Sequence, residues 1–203
     1  MKILVATTNP GKMAELSAML DMDIEWLSLA DFPGIDEVEE DGDTFAENAA
    51  KKAHEYAKAT GCWTIADDSG LVIDALDGQP GVMSARFSGT DTADRTLIDR
   101  KNMTKVLKLM TSVPPDRRTA RFVCSLCLAG PKEIMLQTEG LLEGLITAKP
   151  IGENGFGYDP IFFAPNLGKT VAELEPDEKN AISHRGNAIR KLKPLLEKLI
   201  RSC

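Results

Sequence analysis

Short apolar runs alternate with helical patterns along the first third of the chain. The runs at residues 2–6 and 24–29 are rich in branched side chains and predict two strands. Between them, a helical pattern is carried by Met13, Leu16 and Leu20. A longer amphipathic helix is predicted from Thr44 to about Thr60, and Thr44 with Glu47 fits a capping box at its start. This alternation of strand and helix is typical of an α/β fold.

The centre of the sequence is an apolar run at residues 63–66 that leads into Asp67, Asp68, Ser69 and Gly70. It predicts a buried strand that stops at the two aspartates, with another strand at 71–76. Because adjacent residues of a strand point to opposite faces, one aspartate could ligate a metal while the other accepts a proton. The alternative is an ordinary turn, since Asp, Ser and Gly are common turn formers.

The second half of the chain predicts a helix at 92–110 and then a long antiparallel pair of strands at 119–128 and 134–142. A C-terminal helix follows residue 186. Together with the first half, this pattern predicts a mixed α/β fold with an elongated central sheet flanked by helices. We expect one domain, residues 1–203, with two lobes and a cleft between them.

The charge balance narrows the classes of ligand. Acidic residues outnumber basic ones by 31 to 24, for a formal net charge of −7. This argues against a general nucleic-acid surface and against a basic membrane patch. A polyanionic ligand must therefore be held by a local cluster of cations or by a metal. The sequence also has no apolar stretch of membrane-spanning length and no signal-peptide pattern, so we expect a cytoplasmic protein.

The loop after the first strand is a candidate phosphate site. It consists of Thr7, Thr8, Asn9, Pro10, Gly11 and Lys12. A loop that opens a helix can point backbone amides and the positive end of the helix dipole at a phosphate, and Lys12 adds full charge. It is not a Walker loop, because the first glycine is missing and Met13 stands where Ser or Thr should follow the lysine. The alternative is a capped helix start with an exposed lysine.

An acid-rich loop at residues 31–43 precedes the helix that starts at Thr44. It is either a solvated loop or one that holds a divalent cation, and Glu40 lies close enough to the helix for its position to be fixed. On that helix, Asn48 and Lys52 are four residues apart and share a face. Lys52 is either an ordinary surface lysine or a second cation for phosphate.

A second informative stretch at residues 152–162 has three glycines around Phe156. Glycines let a backbone approach a ligand closely, while the phenylalanine ring stays available for stacking. A hairpin loop with a core phenylalanine is the alternative. Three basic residues follow: Lys179, His184 and Arg185. Combined with the carboxylates and lysines above, this set describes a nucleotide site that holds Mg²⁺.

The order of these motifs resembles the inosine/xanthosine triphosphate pyrophosphatases, a family that hydrolyses non-standard purine nucleoside triphosphates. Six stretches carry the resemblance: Thr-Asn-Pro-Gly-Lys at 8–12, Thr-Phe with Glu-Asn-Ala and Lys at 44–52, Ala-Asp-Asp-Ser-Gly-Leu at 66–71, Pro-Gly with Ser-Ala-Arg at 80–86, Gly-Phe-Gly-Tyr-Asp-Pro at 155–160 and Ser-His-Arg-Gly at 183–186. The resemblance implies an α/β fold with an elongated sheet, a homodimer and a Mg²⁺ requirement. It also implies cleavage between the α and β phosphates, which gives a nucleoside monophosphate and pyrophosphate and removes such nucleotides from the pool.

The same resemblance implies roles for single residues. Thr7 to Lys12 and Lys52 would grip the triphosphate, Glu40, Asp67 and Asp68 would hold metal, and Asp68 would be the general base for the attacking water. The substrate would be lined by Ser69, Phe156, Gly157, Tyr158, Asp159, Lys179, His184 and Arg185. Donors on His184 and Arg185 would face O6 of the purine and reject adenine; for His184, a satisfied histidine at a helix start is the alternative.

The sequence leaves some alternatives open. Arg86 could contact phosphate or a partner subunit. The enzyme could instead act on pyrimidine or modified nucleotides, with the same metal dependence and another base preference. A nucleotide-binding regulator without turnover is a third possibility, although such a module has no need for a proton acceptor at Asp68.

Overall fold

Seven strands form one mixed sheet in a computed structural model that describes residues 1–20 and 22–202. The strands are β1 (Lys2–Val5), β2 (Glu25–Ser28), β3 (Trp63–Ile73), β4 (Thr119–Ala129), β5 (Ile134–Ile146), β6 (Phe162–Ala164) and β7 (Lys169–Thr170). Their order in the sheet is β2-β1-β3-β4-β5-β6-β7. β1 pairs in parallel with β2 and β3, whereas β6 pairs antiparallel with β5 and β7. The predicted mixed α/β sheet is confirmed.

Five α-helices accompany the sheet in the described part of the chain. They are α1 (Pro10–Met19), α2 (Phe45–Thr60), α3 (Arg95–Leu109), α4 (Pro176–Ile182) and α5 (His184–Arg201). The capping box of α2 forms as predicted, since Thr44 Oγ1 accepts from Glu47 N and Glu47 accepts from Thr44 N. Within the described chain, no helix is both long enough and apolar enough to cross a membrane.

The break predicted at the two aspartates is wrong, because β3 runs without interruption from Trp63 to Ile73. The glycine there serves close packing instead of a turn. A Cβ atom on Gly70 would lie 2.8 Å from the carbonyl oxygen of Gly81 and 2.8 Å from Ser84 Cβ. Glycine at this position therefore lets another segment approach the middle of a strand.

The chain forms two compact units. The first contains residues 1–68, 124–140 and the chain from His184 onward; the second contains residues 69–123 and 141–183. In the first unit, alternate residues of the strands enter two different cores. Ile3, Ile65 and Leu126 pack with α1 and α5, while their neighbours Leu4, Ala66 and Cys127 pack with α2. The core of the second unit is built around Leu71, Phe122 and Phe162.

Candidate active site

Strand alternation sends Asp67 and Asp68 to opposite faces of β3 in the first unit. Ile65, two residues before Asp67, lies in the core shared with α1 and α5. Ala66, two residues before Asp68, lies in the core shared with α2. The two carboxylates therefore meet side chains from different helices.

On the α1 and α5 face, Asp67 is the centre of a buried ionic cluster. Its Oδ2 lies 3.1 Å from Lys12 Nζ and accepts a hydrogen bond from Arg185 Nη2 at 2.9 Å. Arg185, 1% exposed, also donates from Nη1 to Glu15 of α1. Burial alone would raise the pKa of Asp67, but Lys12 and Arg185 outweigh it and hold that pKa far below its usual range. Asp67 is therefore held as a carboxylate.

The loop that precedes α1 forms a capped helix start. Asn9 Oδ1 accepts hydrogen bonds from Gly11 N (2.9 Å) and Lys12 N (3.2 Å), and Thr7 Oγ1 accepts from Asn9 N. Both amides that could face a phosphate thus have a partner within the loop. Lys12 is not the exposed lysine of the alternative interpretation, because its side chain is only 15% exposed and pairs with Asp67.

On the α2 face, Asp68 has a different set of neighbours. Asn48 Nδ2 donates to Asp68 Oδ2 at 3.1 Å, and Lys52 Nζ lies 3.9 Å from Asp68 Oδ1. Lys52 also donates to Glu40 Oε1 (2.8 Å) and to the carbonyl oxygen of Asp67 (2.6 Å). Lys52 is buried, so it is a component of this cluster and not an ordinary surface lysine.

The electrostatics of Asp68 are opposite to those of Asp67. Burial raises the pKa of Asp68, and the nearby carboxylate of Glu40 adds to that effect. Lys52, Lys12 and the amide of Asn48 lower the pKa but do not outweigh burial. A carboxylate whose pKa lies above its ordinary value is a better proton acceptor than an unperturbed aspartate.

The acid-rich loop is fixed by α2. Val38 N donates to Tyr56 Oη at 3.2 Å, Gly42 N donates to Asn48 Oδ1 at 2.8 Å, and Lys51 pairs with Asp41 at 2.6 Å. Glu40 therefore lies next to Lys52 because contacts with α2 fix the loop at several points. This outcome favours a loop with a defined position over a freely solvated one.

Glu40 and Asp68 are the two carboxylates of the first unit that could hold a magnesium ion. Glu40 Oε1 lies 2.8 Å and Asp68 Oδ1 lies 3.9 Å from Lys52 Nζ, so the two carboxylates face the same ammonium group. Mg²⁺ is commonly held by one or two carboxylates together with substrate phosphates. Among residues 1–20 and 22–202, no three Asp, Glu, His or Cys side chains are grouped closely enough to hold a metal ion by themselves.

In the second unit, the predicted Gly-Phe-Gly loop surrounds a half-buried aromatic ring. Lys179 Nζ lies 4.4 Å from the centroid of the Phe156 ring and pairs with Asp159 Oδ2 at 2.6 Å. Asp159 Oδ2 also accepts from Phe156 N at 2.9 Å. The hydroxyl of Tyr158 donates to the carbonyl oxygen of Ser84 at 2.8 Å. Asp159 and Tyr158 are thus buried supports of the loop, and Phe156 is not a core phenylalanine.

The remaining predicted residues are placed as follows. Ser69 is half-buried within β3 in the second unit, and Thr8 and Pro10 are exposed in the first. His184 is the first residue of α5 and is buried, next to Arg185 in the first unit. Gly157 is half-buried, and its amide donates to Asp99 Oδ2 at 2.9 Å.

Two residues of the ionic clusters were not predicted to have a role. Asn48 was placed on the same helix face as Lys52, and that spacing was the signal that could have linked it to Asp68. Glu15 gave no comparable signal, because its partner Arg185 lies 170 residues away in the sequence.

Comparison with known proteins gives matches over nearly the whole chain. The sequence profile of the Ham1 family matches residues 3–195. A dITP/XTP pyrophosphatase of Exiguobacterium sp. is 52% identical over 193 residues, or 95% of each chain. One from Listeria monocytogenes serotype 4b is 49% identical over 200 residues, which is 98% of this chain and 96% of the relative.

Solved structures give the same result. A HAM1 protein from Coxiella burnetii superposes with a TM-score of 0.87 at 40% identity, covering 98% of this chain and 99% of the other. A nucleoside-triphosphatase / dITP/XTP pyrophosphatase from Mycobacterium abscessus has a TM-score of 0.77 at 46% identity and covers 96% and 100% of the two chains.

Proposed function

The chain belongs to the Ham1 family, and on that premise we propose that it hydrolyses non-standard purine nucleoside triphosphates such as dITP, ITP and XTP to the monophosphate and pyrophosphate. The names of relatives about half identical over nearly the full chain support this reaction. The structural observation that carries it is Asp68: a buried carboxylate with a raised pKa, held by Asn48 beside the cation of Lys52. A nucleotide-binding regulator would not need such a proton acceptor.

Asp68 is the proposed general base. Its role is to take a proton from the water that attacks the α phosphate, and a positioned base of this kind contributes about 10²–10⁴ in rate. Asn48 fixes the carboxylate by donating to Oδ2. Oδ1 faces Lys52, whose positive charge stabilises the ionised form that can accept a proton.

Glu40 and Asp68 are the carboxylates proposed to hold Mg²⁺. When bound, Mg²⁺ neutralises charge on phosphate oxygens. Asp67 was included in the metal set predicted from the sequence, but its Oδ2 is bonded to Lys12 and Arg185 on the other face of β3. We therefore assign Asp67 the role of holding these two cations in place.

Lys12 and Lys52 are proposed to bind the triphosphate, with the loop from Thr7 to Gly11 beside Lys12. Lys12 pairs with Asp67 and Lys52 pairs with Glu40, so each lysine has a fixed position before any ligand binds. Fixed cations are effective for phosphate because less side-chain freedom is lost on binding. With a net charge of −7, the protein needs this local concentration of positive charge to hold a polyanion.

The purine base is proposed to stack on Phe156 in the second unit, next to Lys179. A ring flanked by glycines is accessible to a flat ligand, and Lys179 and Asp159 hold the loop around it. Gly157, Tyr158 and Ser69 are proposed to belong to the same lining. For His184 and Arg185, the role of donors to O6 remains a prediction from the family resemblance; in the structure Arg185 donates to Asp67 and Glu15. We also propose a homodimer in the cytoplasm with no nucleic-acid partner, from the family resemblance and the acidic composition.

Product analysis tests the reaction directly. Purified protein with Mg²⁺ is incubated with dITP, ITP, XTP, ATP, GTP and the pyrimidine triphosphates, and pyrophosphate and orthophosphate are measured separately. We expect pyrophosphate from the first three substrates, and a chelator should abolish it. Orthophosphate alone would mean that a different bond is cleaved, and preference for pyrimidine substrates would contradict the proposed specificity. No product from any nucleotide would favour a binding module.

A further inference from the structure

Helix α3 of the second unit touches the Phe156 loop at a position for which the helical pattern of the sequence gives no functional signal. Asp99 Oδ2 accepts a hydrogen bond from Gly157 N at 2.9 Å, across 58 residues of sequence. Gly157 is the residue directly after Phe156. The side chain of Asp99 thus binds the amide group that directly follows Phe156, the residue whose ring is proposed to stack on the base.

The loop needs such anchors because its backbone is intrinsically flexible. Gly155 and Gly157, on either side of Phe156, both have positive φ values, 77° and 63°. Glycine in this region has many alternative conformations to lose, so a loop with two of them is held in one conformation only by specific contacts. On the Gly155 side the contact is Asp159, which accepts from Phe156 N. On the Gly157 side it is Asp99.

A second residue of α3 supports the same loop indirectly. Asn102, three residues after Asp99, donates from Nδ2 to the carbonyl oxygen of Ser84 at 3.2 Å. The hydroxyl of Tyr158 donates to that same oxygen at 2.8 Å. Residues three apart lie on one face of a helix, so one face of α3 holds Gly157 directly and Tyr158 through Ser84.

We infer that Asp99 is a positioning residue that keeps the Phe156 loop in the conformation that binds the nucleotide base. This inference rests on the proposed function for its kinetic consequence. When only a fraction of molecules has the binding-competent loop, the apparent affinity falls by that fraction, while bound molecules react at the normal rate. Loss of the tether should therefore raise KM and leave kcat almost unchanged.

The test compares two substitutions at Asp99 with one at Asp94. Asp99→Ala removes the acceptor, whereas Asp99→Asn keeps an oxygen that Gly157 N can use. Asp94→Ala is the matched control: Asp94 Oδ1 caps the same helix by accepting from Leu97 N at 3.1 Å, and it has no contact with the loop among the described hydrogen bonds. Steady-state pyrophosphate release from dITP with Mg²⁺ gives KM and kcat, and hydrogen exchange of peptides that cover residues 152–160 reports on the Gly157 amide.

We expect Asp99→Ala to raise KM about tenfold with kcat within about twofold, and to speed exchange in the 152–160 segment about tenfold. Asp99→Asn should stay within about threefold of the wild-type KM, because a neutral acceptor retains part of a charge-assisted hydrogen bond. Asp94→Ala should lower the melting temperature by about 2–4 °C and leave KM unchanged.

Three results would overturn the inference: a wild-type KM in Asp99→Ala, an equal rise in KM for Asp94→Ala, or a loss in kcat alone. An equal rise in KM for Asp94→Ala would mean that the stability of the helix controls KM. A loss in kcat alone would mean that the chemical step is affected. If the wild-type protein releases no pyrophosphate from dITP, the proposed function fails on its own. The exchange experiment then tests separately whether Asp99 holds Gly157. Unchanged exchange of the 152–160 segment in Asp99→Ala would show that it does not.

Discussion

The two faces of β3 at Asp67 and Asp68 give neighbouring carboxylates opposite properties. On one face, Asp67 pairs with Lys12 and Arg185, and these cations hold its pKa far below the usual range. On the other, Asp68 meets Asn48, Lys52 and Glu40, and burial raises its pKa. One peptide step along the strand thus separates a carboxylate whose pKa is lowered from one whose pKa is raised.

The difference shows how a strand can support a reactive group. A buried carboxylate with strong cationic partners is too weak a base to take a proton from water. Such a group can, however, hold cations in place for a polyanionic ligand. Because strand residues alternate in direction, both kinds of carboxylate can stand side by side and share one rigid backbone.

The largest expected effect is on catalysis by Asp68. Asp68→Asn should lower kcat by about 10²–10⁴, because the variant loses its proton acceptor while keeping the size of the side chain. Steady-state pyrophosphate release from dITP measures this. The free energy of unfolding should not fall, since a buried carboxylate with a raised pKa is costly to ionise at neutral pH. Near-normal turnover in the folded variant would refute the assignment of Asp68 as the base.

The matching change at Asp67 should act mainly on stability. Asp67→Asn leaves Arg185 and Lys12 without their shared carboxylate, and breaking a buried ion pair costs about 3–5 kcal/mol. Urea unfolding at neutral pH measures this loss. If instead Asp67→Asn and Asp68→Asn destabilise the protein equally, the proposed contrast between the two faces is wrong.

The ion pairs of Asp67 also predict how the stability lost in Asp67→Asn depends on pH. Because the folded-state pKa of Asp67 lies below the ordinary value of 3.8, its carboxylate contributes full stability above that value. The contribution decreases as pH falls from 3.8 toward the lowered pKa. The gap in unfolding free energy between wild type and Asp67→Asn should therefore be constant near neutrality and narrow in acid. A gap that widens in acid would contradict the sign of the pKa shift.

A smaller effect is expected at Asn48, which positions Asp68 and holds the acidic loop at Gly42. Asn48→Ala removes the hydrogen bond to Asp68 Oδ2. We expect kcat to fall about tenfold, because one hydrogen bond contributes about 1.4 kcal/mol and that energy corresponds to a factor of about ten in rate. Lys51→Ala is the control, because Lys51 holds the same loop through an exposed pair with Asp41. Exposed pairs contribute little, so its kcat should stay near wild type. Equal losses in both variants would assign the effect to the loop and not to Asp68.

The smallest expected effect concerns the cap of α2. Thr44→Ala should cost about 1 kcal/mol of stability because Glu47 N loses its acceptor, with kcat unchanged. Thermal unfolding and steady-state kinetics together measure this. A kcat loss as large as that of Asn48→Ala would mean that the integrity of the whole helix controls Asp68.

Local patterns predicted the parts of the fold whose causes are local. The capping box of Thr44 and Glu47 and the strand at the N-terminus could be read from adjacent residues, and the structure confirms both. The predicted break after Asp68 was wrong for a non-local reason. Gly70 is required by the approach of Gly81 and Ser84, which no short window of sequence shows.

The candidate site divides in the same way. Motifs identified Asp67, Asp68, Lys12 and Lys52, because unusual residue types at fixed spacing are visible in the chain. The support given by Glu15 to Arg185 and by Asp99 to Gly157 was not visible, since these partners lie 170 and 58 residues apart. The family resemblance predicted from the motifs is confirmed by the relatives.

The sequence by itself determined that two adjacent carboxylates follow a buried apolar run, and that strand geometry there would send their side chains to opposite faces. Only the tertiary structure decided which of them has a raised pKa and which a lowered one. Burial and charge at each position are sums over neighbours from α1, α2, α5 and the acidic loop, and those neighbours meet only after folding. A pKa depends on distances in space, and so the chemical difference between Asp67 and Asp68 is a property of the folded protein.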